Sequence, residues 1–367
     1  MTPALNSLAD RLAVHTERHD LRSRWFGIGR TVIAVAELSV LLLTPVKALL
    51  VPVITIGEFP RCDSVRAASA LCLGGDSVGM EPRRWLLIVI LVAAASGYRP
   101  RWTAIPLAWA TYSVAVSISV PDGGESVAMI MGFLMIPIGL ADNRTWHWQR
   151  PKSALAPSWR TLSMVAFLAI RVQIAYLYLD SAISKFGVAD WANGTAEYYF
   201  LRDNMFGVSA PWDSLLLWLS KNPLIVVSMT WGALVIELAI GVCLLASHRW
   251  RKTGLIMDIV LHGSIILTMG LWSFGLVMIG SAIVCATPGR RSPAPPRAPA
   301  DDQAADGQAT DGQATDGQAA DSQADAATDR SDPPVPVPEP DLPVSEEATP
   351  CAVCGTAAPT ASAAPRS

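Results

Sequence analysis

Eight apolar runs, separated by short polar loops, dominate the first 290 residues of the chain. An α-helix needs about 20 apolar residues to cross a bilayer, and several of the runs approach that length. Charged residues form 16% of the sequence, against about 25% in soluble domains. The chain is therefore predicted to be all-α, a polytopic transmembrane bundle of about eight helices. The runs are Ile28–Val53, Trp85–Ser96, Thr103–Val120, Ser126–Leu140, Leu162–Ile183, Pro223–Ser247, Leu255–Met269 and Ser273–Ala286.

Arginine and lysine are distributed unevenly among the connecting loops. Loops rich in these residues alternate with loops poor in them, and cytoplasmic loops carry the excess in membrane proteins. This alternation predicts eight spans in contact with membrane lipid, with both termini in the cytoplasm. Arg83 and Arg84 are the exception, because they fall on the predicted outer side. The basic regions are the segment before the first run, Arg99 with Arg101, residues 142–160, residues 248–253, and Arg290 with Arg291.

Composition predicts the domain organisation. Residues 1–26 form a charged cytoplasmic segment, and residues 27–289 form the transmembrane domain. Within that domain, residues 186–222 mix aromatic and polar side chains, which predicts a segment lying at the outer membrane interface. From residue 290 to 367, Asp-Gly-Gln-Ala repeats and Pro-rich stretches predict a disordered acidic tail, since they bury too little apolar surface to offset chain entropy.

Charged side chains inside the apolar runs point to a site or to structural pairs. A charge at the bilayer centre costs roughly 2.5–3.5 kcal/mol on insertion scales, so such groups face a bundle interior or a cavity. Arg171 and Glu237 lie near the middle of their runs and are predicted to pair, either as structural glue or as part of a site. Arg171, Tyr178 and Lys185 recur every seven residues and so form one stripe along a helix. Glu37 lies in the first run.

Lys185 and His262 each have two interpretations. In the first interpretation, Lys185 lies at the end of a span and extends to the lipid headgroups. In the other it lies in a partly dry pocket, where desolvation makes it a usable base. His262 lies four residues after Asp258, on the same helix face. The Asp258 carboxylate can orient the His262 ring either for a hydrogen bond that packs two helices or for catalysis.

Several other chemistries lack support in the sequence. There is no P-loop, no GxGxxG and no HExxH, and the basic residues follow the topology rather than a nucleic-acid patch. Cys351 and Cys354 form a lone pair without the further ligands that zinc requires, so no metal site is predicted. Cys62 and Cys72 share one predicted outer loop and are candidates for a disulfide.

Two stretches resemble a known family. One runs from Tyr176 to Ala196 and contains Lys185-Phe with Trp191-Ala-Asn-Gly194, and the other is His262 to Phe274. Together they resemble the bacterial SdpB family of sporulation-delaying proteins, within the HTTM group. The membrane part of that group is similar to vitamin K-dependent γ-glutamyl carboxylase. The resemblance covers about residues 20–290.

The resemblance implies roles for these residues. Lys185 matches the base that the carboxylase group uses in reduced-quinone oxygenation, and His262 matches a second functional position. Trp191 and Gly194 match positions that shape the loop after the lysine. With Arg171, Tyr178, Glu237 and Asp258 they make up the predicted pocket. The chain departs from the carboxylase because only the tail follows the membrane part, where the carboxylase has a large soluble domain.

The family resemblance also implies a function. It implies a factor in the bacterial plasma membrane that matures or produces an exported SdpC-like antimicrobial peptide toxin beside an SdpA-like partner. Two alternatives stay open at this level. One is a carboxylase-like membrane enzyme, for which a quinone is the cofactor by resemblance alone. The other is a non-enzymatic scaffold or immunity protein.

Overall fold

A computed structural model describes residues 20–53 and 57–289, apart from the side chain of Asp76. The predicted tail, its cysteine pair and most of the N-terminal segment lie outside the described residues. The described part contains twelve α-helices and three short 3-10 helices. The α-helices are α1 (Arg24–Leu43), α2 (Val46–Leu49), α3 (Met80–Ser96), α4 (Pro100–Ser117), α5 (Gly124–Leu140), α6 (Pro157–Lys185), α7 (Ala189–Ala192), α8 (Ala196–Phe200), α9 (Asp213–Leu219), α10 (Pro223–Leu245), α11 (His248–Met269) and α12 (Trp272–Cys285).

The all-α prediction is confirmed, and four helices are long and apolar enough to cross a membrane: α1, α6, α10 and α11. α5 and α12 are apolar but shorter. The basic residues that flank residues 255–286 favour a hairpin that turns near Gly270. This hairpin is present, because α11 ends at Met269 and Gly270 has the positive φ of +73° that lets the chain reverse. The count of eight spans stays a prediction.

Two predicted boundaries are wrong. The run Ile28–Val53 is not one helix, because α1 ends at Leu43 and a new short helix starts after Pro45. Proline disfavours helical geometry in the residue before it, which explains the break. The predicted basic loop at 248–253 is helical instead, and only Ala246 and Ser247 separate α10 from α11.

Small residues allow the helices to pack closely. α1 lies against α12 and α3, while α6 packs on α10 and α5. A Cβ atom at Gly29 would lie 2.7 Å from the carbonyl oxygen of Gly280, so the backbones of α1 and α12 nearly touch. Close approach through glycine is a common way for helices to associate in a membrane. Lipid tails are as apolar as the side chains, so the hydrophobic effect does not drive the helices together there.

Two Asp-x-Arg pairs hold the loops on the predicted cytoplasmic side. Arg22 binds Asp20 at 2.7 Å and donates a further hydrogen bond to the carbonyl oxygen of Ser153. Arg144 binds Asp142 at 2.6 Å and donates to the carbonyl oxygens of two residues in its own loop. All four charged side chains are buried. Because each carboxylate is met by a guanidinium fork, these charges are satisfied without water.

Arg83 and Arg84, the exceptions to the charge pattern, are engaged with the backbone. Arg83 is buried and donates to the carbonyl oxygens of Leu71 and Gly75, in the loop that a disulfide between Cys62 and Cys72 closes. Arg84 donates to the carbonyl oxygens at the end of α1. A cation is favourable at a helix carboxyl end, so Arg84 stabilises the end of α1. Arg83 stabilises the loop before α3, and both arginines thus have a structural role.

His147 occupies a slot between two glycines. Its ring is 1% exposed and lies within 2.9 Å of a Cβ placed at Gly27 and 2.3 Å of one at Gly97. Burial lowers the pKa of His147 to about 3, and the nearby cations Arg30 and Arg144 add to the effect. The imidazole is therefore neutral at physiological pH and acts as a packing element.

We expect Gly97→Ala to destabilise the protein by more than about 1 kcal/mol. The φ of Gly97 is +82°, which strains any residue with a Cβ, and the new methyl group would collide with His147. Gly232→Ala is the matched control, since a Cβ there meets nothing within 4 Å, and we expect it not to destabilise the protein, because alanine is the better helix former. Thermal unfolding in detergent would measure both. Equal unfolding midpoints for the two variants would contradict the close packing of His147 against Gly97.

Candidate polar site within the bundle

An ion pair between Lys185 and Glu237 joins the last turn of α6 to α10. The Lys185 Nζ atom lies 2.5 Å from Glu237 Oε1, and the side chains are 25% and 13% exposed. Ser181, one turn earlier on α6, donates to the other carboxylate oxygen at 3.4 Å. The Lys185 ammonium also lies 4.9 Å from the centre of the Trp191 ring, within cation–π range. The pair is thus half-buried and bounded by an aromatic wall.

The chain after Lys185 folds so that Trp191 returns to this pair. α6 ends at Lys185, α7 follows after a short turn, and Gly194 adopts a φ of +76° before α8 begins. Trp231 on α10 donates from its ring nitrogen to the carbonyl oxygen of Trp191 at 3.2 Å. A Cβ at Gly194 would lie 3.2 Å from Val227. Gly194 therefore supplies the turn and the close approach to α10.

A second cluster lies deeper in the bundle. The hydroxyl of Tyr178 donates to Asp258 Oδ1, and His262 Nδ1 lies 2.9 Å from the same oxygen. All three side chains are at most 4% exposed. The His262 ring packs against Phe274, with ring centres 5.4 Å apart. The Asp258 carboxylate therefore fixes the orientation of the His262 ring through Nδ1.

One face of α6 connects the two clusters. Tyr178 and Lys185 are seven residues apart, which is about 10 Å along a helix. Ser181 lies between them and contacts Glu237. The arrangement runs from a buried carboxylate–imidazole pair to a partly exposed ammonium–carboxylate pair. Such a series can hold protons at several points and can donate hydrogen bonds to an anionic or carbonyl group at the Lys185 end.

The predicted pair of Arg171 and Glu237 is wrong. Arg171 instead donates to the carbonyl oxygens of Leu244, Leu245 and Ala246, at 3.0, 2.6 and 3.1 Å. Residues 157–170 of α6 extend past the end of α10, so Arg171 is level with that end rather than with Glu237. The last carbonyl groups of a helix lack intrahelical partners, and they satisfy the guanidinium. Arg171 therefore caps a helix and lies away from the site.

Glu197 is a residue of this neighbourhood that the sequence did not reveal. It lies on α8, in the aromatic segment, and interacts electrostatically with Lys185 and Glu237. Burial raises the pKa of the Glu197 carboxyl above its ordinary value; the Lys185 ammonium opposes this shift and the Glu237 carboxylate adds to it. Only the fold brings residues 185, 197 and 237 together, so no sequence pattern pointed to it.

The chain is similar to two proteins of Bacillus subtilis strain 168. It is 33% identical over 276 residues to the uncharacterized protein YitO, a match that covers 74% of this chain and 88% of that relative. It is 32% identical over 225 residues to the sporulation-delaying protein SdpB, covering 61% of this chain and 69% of that relative. No family model and no solved structure matches the chain.

We expect Tyr178→Phe to destabilise the protein by about 1.5–3 kcal/mol, because it removes a buried hydrogen bond to a carboxylate. Tyr199→Phe is the matched control, since Tyr199 is 57% exposed, and its effect should stay within about 0.5 kcal/mol. Unfolding of the purified variants in detergent would measure the difference. If both variants unfold like the wild type, Tyr178 is not bonded to Asp258.

Proposed function

The chain belongs to the SdpB-like family, and we propose that it is a multi-pass factor of the bacterial plasma membrane that helps to produce an exported, SdpC-like peptide toxin. An SdpA-like protein would be its partner in this task. The observation that carries the proposal is the pair of polar clusters around Lys185 and His262, held inside the helix bundle of a chain related to SdpB. Intramembrane charges of this kind usually mark functional sites.

The proposed topology has eight spans and cytoplasmic termini. Four helices are long enough to cross, and we propose that α3, α4, α5 and α12 complete the set. The basic Asp-x-Arg loops and the α10–α11 turn would then lie in the cytoplasm, as the excess of arginine and lysine favours. Lys185 would lie at the outer end of α6, beside the aromatic residues 186–222. In that position it faces the side on which an exported peptide appears.

Lys185 would act on the peptide, or on a group attached to it, by moving a proton. The ammonium is held by Glu237 and faces Trp191, while Glu197 interacts electrostatically with the pair. The Asp258–His262 pair offers a second proton-holding group deeper in the bundle. A site that opens to an aromatic, interfacial segment fits a peptide with apolar side chains.

A scaffold without chemistry is the second candidate. It is favoured by the burial of Tyr178 and Asp258, which are 2% and 0% exposed and bonded to each other across α6 and α11. Hydrogen bonds of this kind join helices in membranes and need have no other role.

Lys185→Ala is expected to abolish mature peptide while the protein remains in the membrane. Lys221→Ala is the matched control, an exposed lysine after α9, and should leave the peptide at wild-type amounts. Mass spectrometry of secreted peptide, with the membrane level of each variant measured in parallel, would report the outcome. Normal peptide production by Lys185→Ala would refute a functional role for this lysine.

The variant Lys185→Arg distinguishes a factor that moves a proton from a scaffold without chemistry. Arginine keeps the charge and the bond to Glu237, but it does not release a proton in proteins. We expect this variant to accumulate normally and to lose peptide production if Lys185 moves a proton. Full production by Lys185→Arg, together with loss in Lys185→Ala, would favour the scaffold.

A further inference from the structure

A cluster of basic side chains lies where α11 begins, directly after the two-residue turn from α10. It consists of His248, Arg249, Arg251 and Lys252, and we refer to these four residues as the basic turn. The first turn of α11 contains no acidic residue, and Ser247 gives it no side-chain cap. Because the amino end of a helix carries a partial positive charge, the backbone adds to the charge of these side chains rather than offsetting it.

The basic turn has no acidic partner in the described part of the chain. Across residues 20–53 and 57–289, no ion pair includes any of its side chains. The side chains that act electrostatically on Arg251 are Arg171, which repels it, and Cys285. His248 in turn interacts with Arg251 and Lys252. Since arginine keeps its proton in proteins, the positive charge at this position persists and attracts an anion.

Arg251 is fixed by two helices, and these contacts use only part of its guanidinium. Its Nη1 donates to the carbonyl oxygen of Cys285 on α12 at 3.2 Å, and its guanidinium carbon lies 5.8 Å from the centre of the Phe167 ring on α6. Nε is buried without a hydrogen-bond partner, and Nη2 has none among the residues that the structure describes. The side chain is partly exposed. Nη2 can therefore donate to a ligand while Nη1 holds the group in place.

The position of the basic turn favours a lipid over a dissolved anion. α10 and α11 are both long and apolar enough to cross a membrane, and a two-residue turn between two spanning helices falls at the membrane surface, where the lipid phosphates lie. Trp250, beside Arg251, is 59% exposed, and tryptophan is enriched at this level. Leu245, the last residue of α10, and Leu168 on α6 are also exposed. These apolar surfaces suit acyl chains.

We propose that the basic turn binds the phosphate of an anionic phospholipid, whose acyl chains lie along the exposed faces of α6 and α10. Arg251 donates to the phosphate oxygens. Arg249 and Lys252 supply the additional charge that favours an anionic over a zwitterionic lipid. The inference uses none of the residues around Lys185 and stands independently of the proposed function.

The test is native mass spectrometry of the full-length protein, purified in a neutral detergent and freed of co-purified lipid. Dioctanoyl-phosphatidylglycerol is the probe. Dioctanoyl-phosphatidylcholine is the matched lipid, because it has the same chains and phosphate but no net charge. We expect saturable binding of phosphatidylglycerol, about tenfold or more tighter than that of phosphatidylcholine. Equal binding of the two lipids, or binding of neither, would overturn the proposal, and this comparison needs no variant to fold.

Arg251→Gln tests the central residue. The variant removes the charge and keeps a polar side chain, so phosphatidylglycerol binding should weaken about tenfold or more. Arg101→Gln is the matched control, because Arg101 is an exposed arginine in the first turn of another helix, α4. Its binding should equal that of the wild type. Unchanged binding in Arg251→Gln, or an equal loss in both variants, would overturn the assignment to the basic turn.

A double variant covers the case in which Arg251→Gln does not fold. Arg249→Gln combined with Lys252→Gln changes only exposed side chains, so the fold should be retained. We expect this protein to lose most of its preference for phosphatidylglycerol over phosphatidylcholine. A preference equal to that of the wild type would contradict the role of the basic turn.

The headgroup alone distinguishes a lipid from a dissolved phosphate. Glycerophosphoglycerol carries the same phosphodiester as phosphatidylglycerol but has no acyl chains. We expect it to displace bound phosphatidylglycerol only when it is present in large excess. Displacement at equal concentration would show that the site takes a free phosphodiester, and it would overturn the assignment to a lipid.

Discussion

Burial of charge in an apolar bundle is the constraint on which the arrangement of these helices depends. An ionised group there must meet an opposite charge or several hydrogen-bond partners, since water is absent. The chain meets this need at helix ends with arginine. Arg84, Arg171 and Arg251 donate to the last carbonyl groups of α1, α10 and α12, respectively. Each bond satisfies a guanidinium and orphan carbonyl groups together, and it fixes the level at which one helix meets another.

The same constraint distinguishes charged side chains that only stabilise the fold from those that remain available to other molecules. The Asp-x-Arg pairs, Arg84 and Arg171 each bind carboxylate or carbonyl oxygens of the protein itself, which gives them a structural role. Lys185 and Glu237 satisfy each other but remain partly exposed beside Trp191. Glu37 has an oxygen that no described group satisfies. Of these groups, the partly exposed pair of Lys185 and Glu237 is the one that other molecules can reach.

Much of the architecture was predictable because membrane helices are specified locally. Length and apolar composition located the long helices, and the basic flanks with Gly270 indicated the final hairpin. Lys185, Tyr178, Asp258 and His262 were recognised because polar groups in apolar runs stand out. The prediction of charge pairs was wrong where it depended on the position of a residue along the helix axis. Arg171 appeared to be level with Glu237 because the sequence does not show how far α6 extends past the end of α10.

The sequence by itself determined the helical class, the apolar helices, the polar residues within them and the kinship with SdpB. These follow from local composition and from the residues themselves. Only the tertiary structure decided which charges meet. It paired Glu237 with Lys185, brought Glu197 to that pair, and left Glu37 beside Glu125 without a cation. The physical reason is that pairing depends on the rotation and level of each helix, which the packing of small residues and helix ends sets across distant parts of the chain.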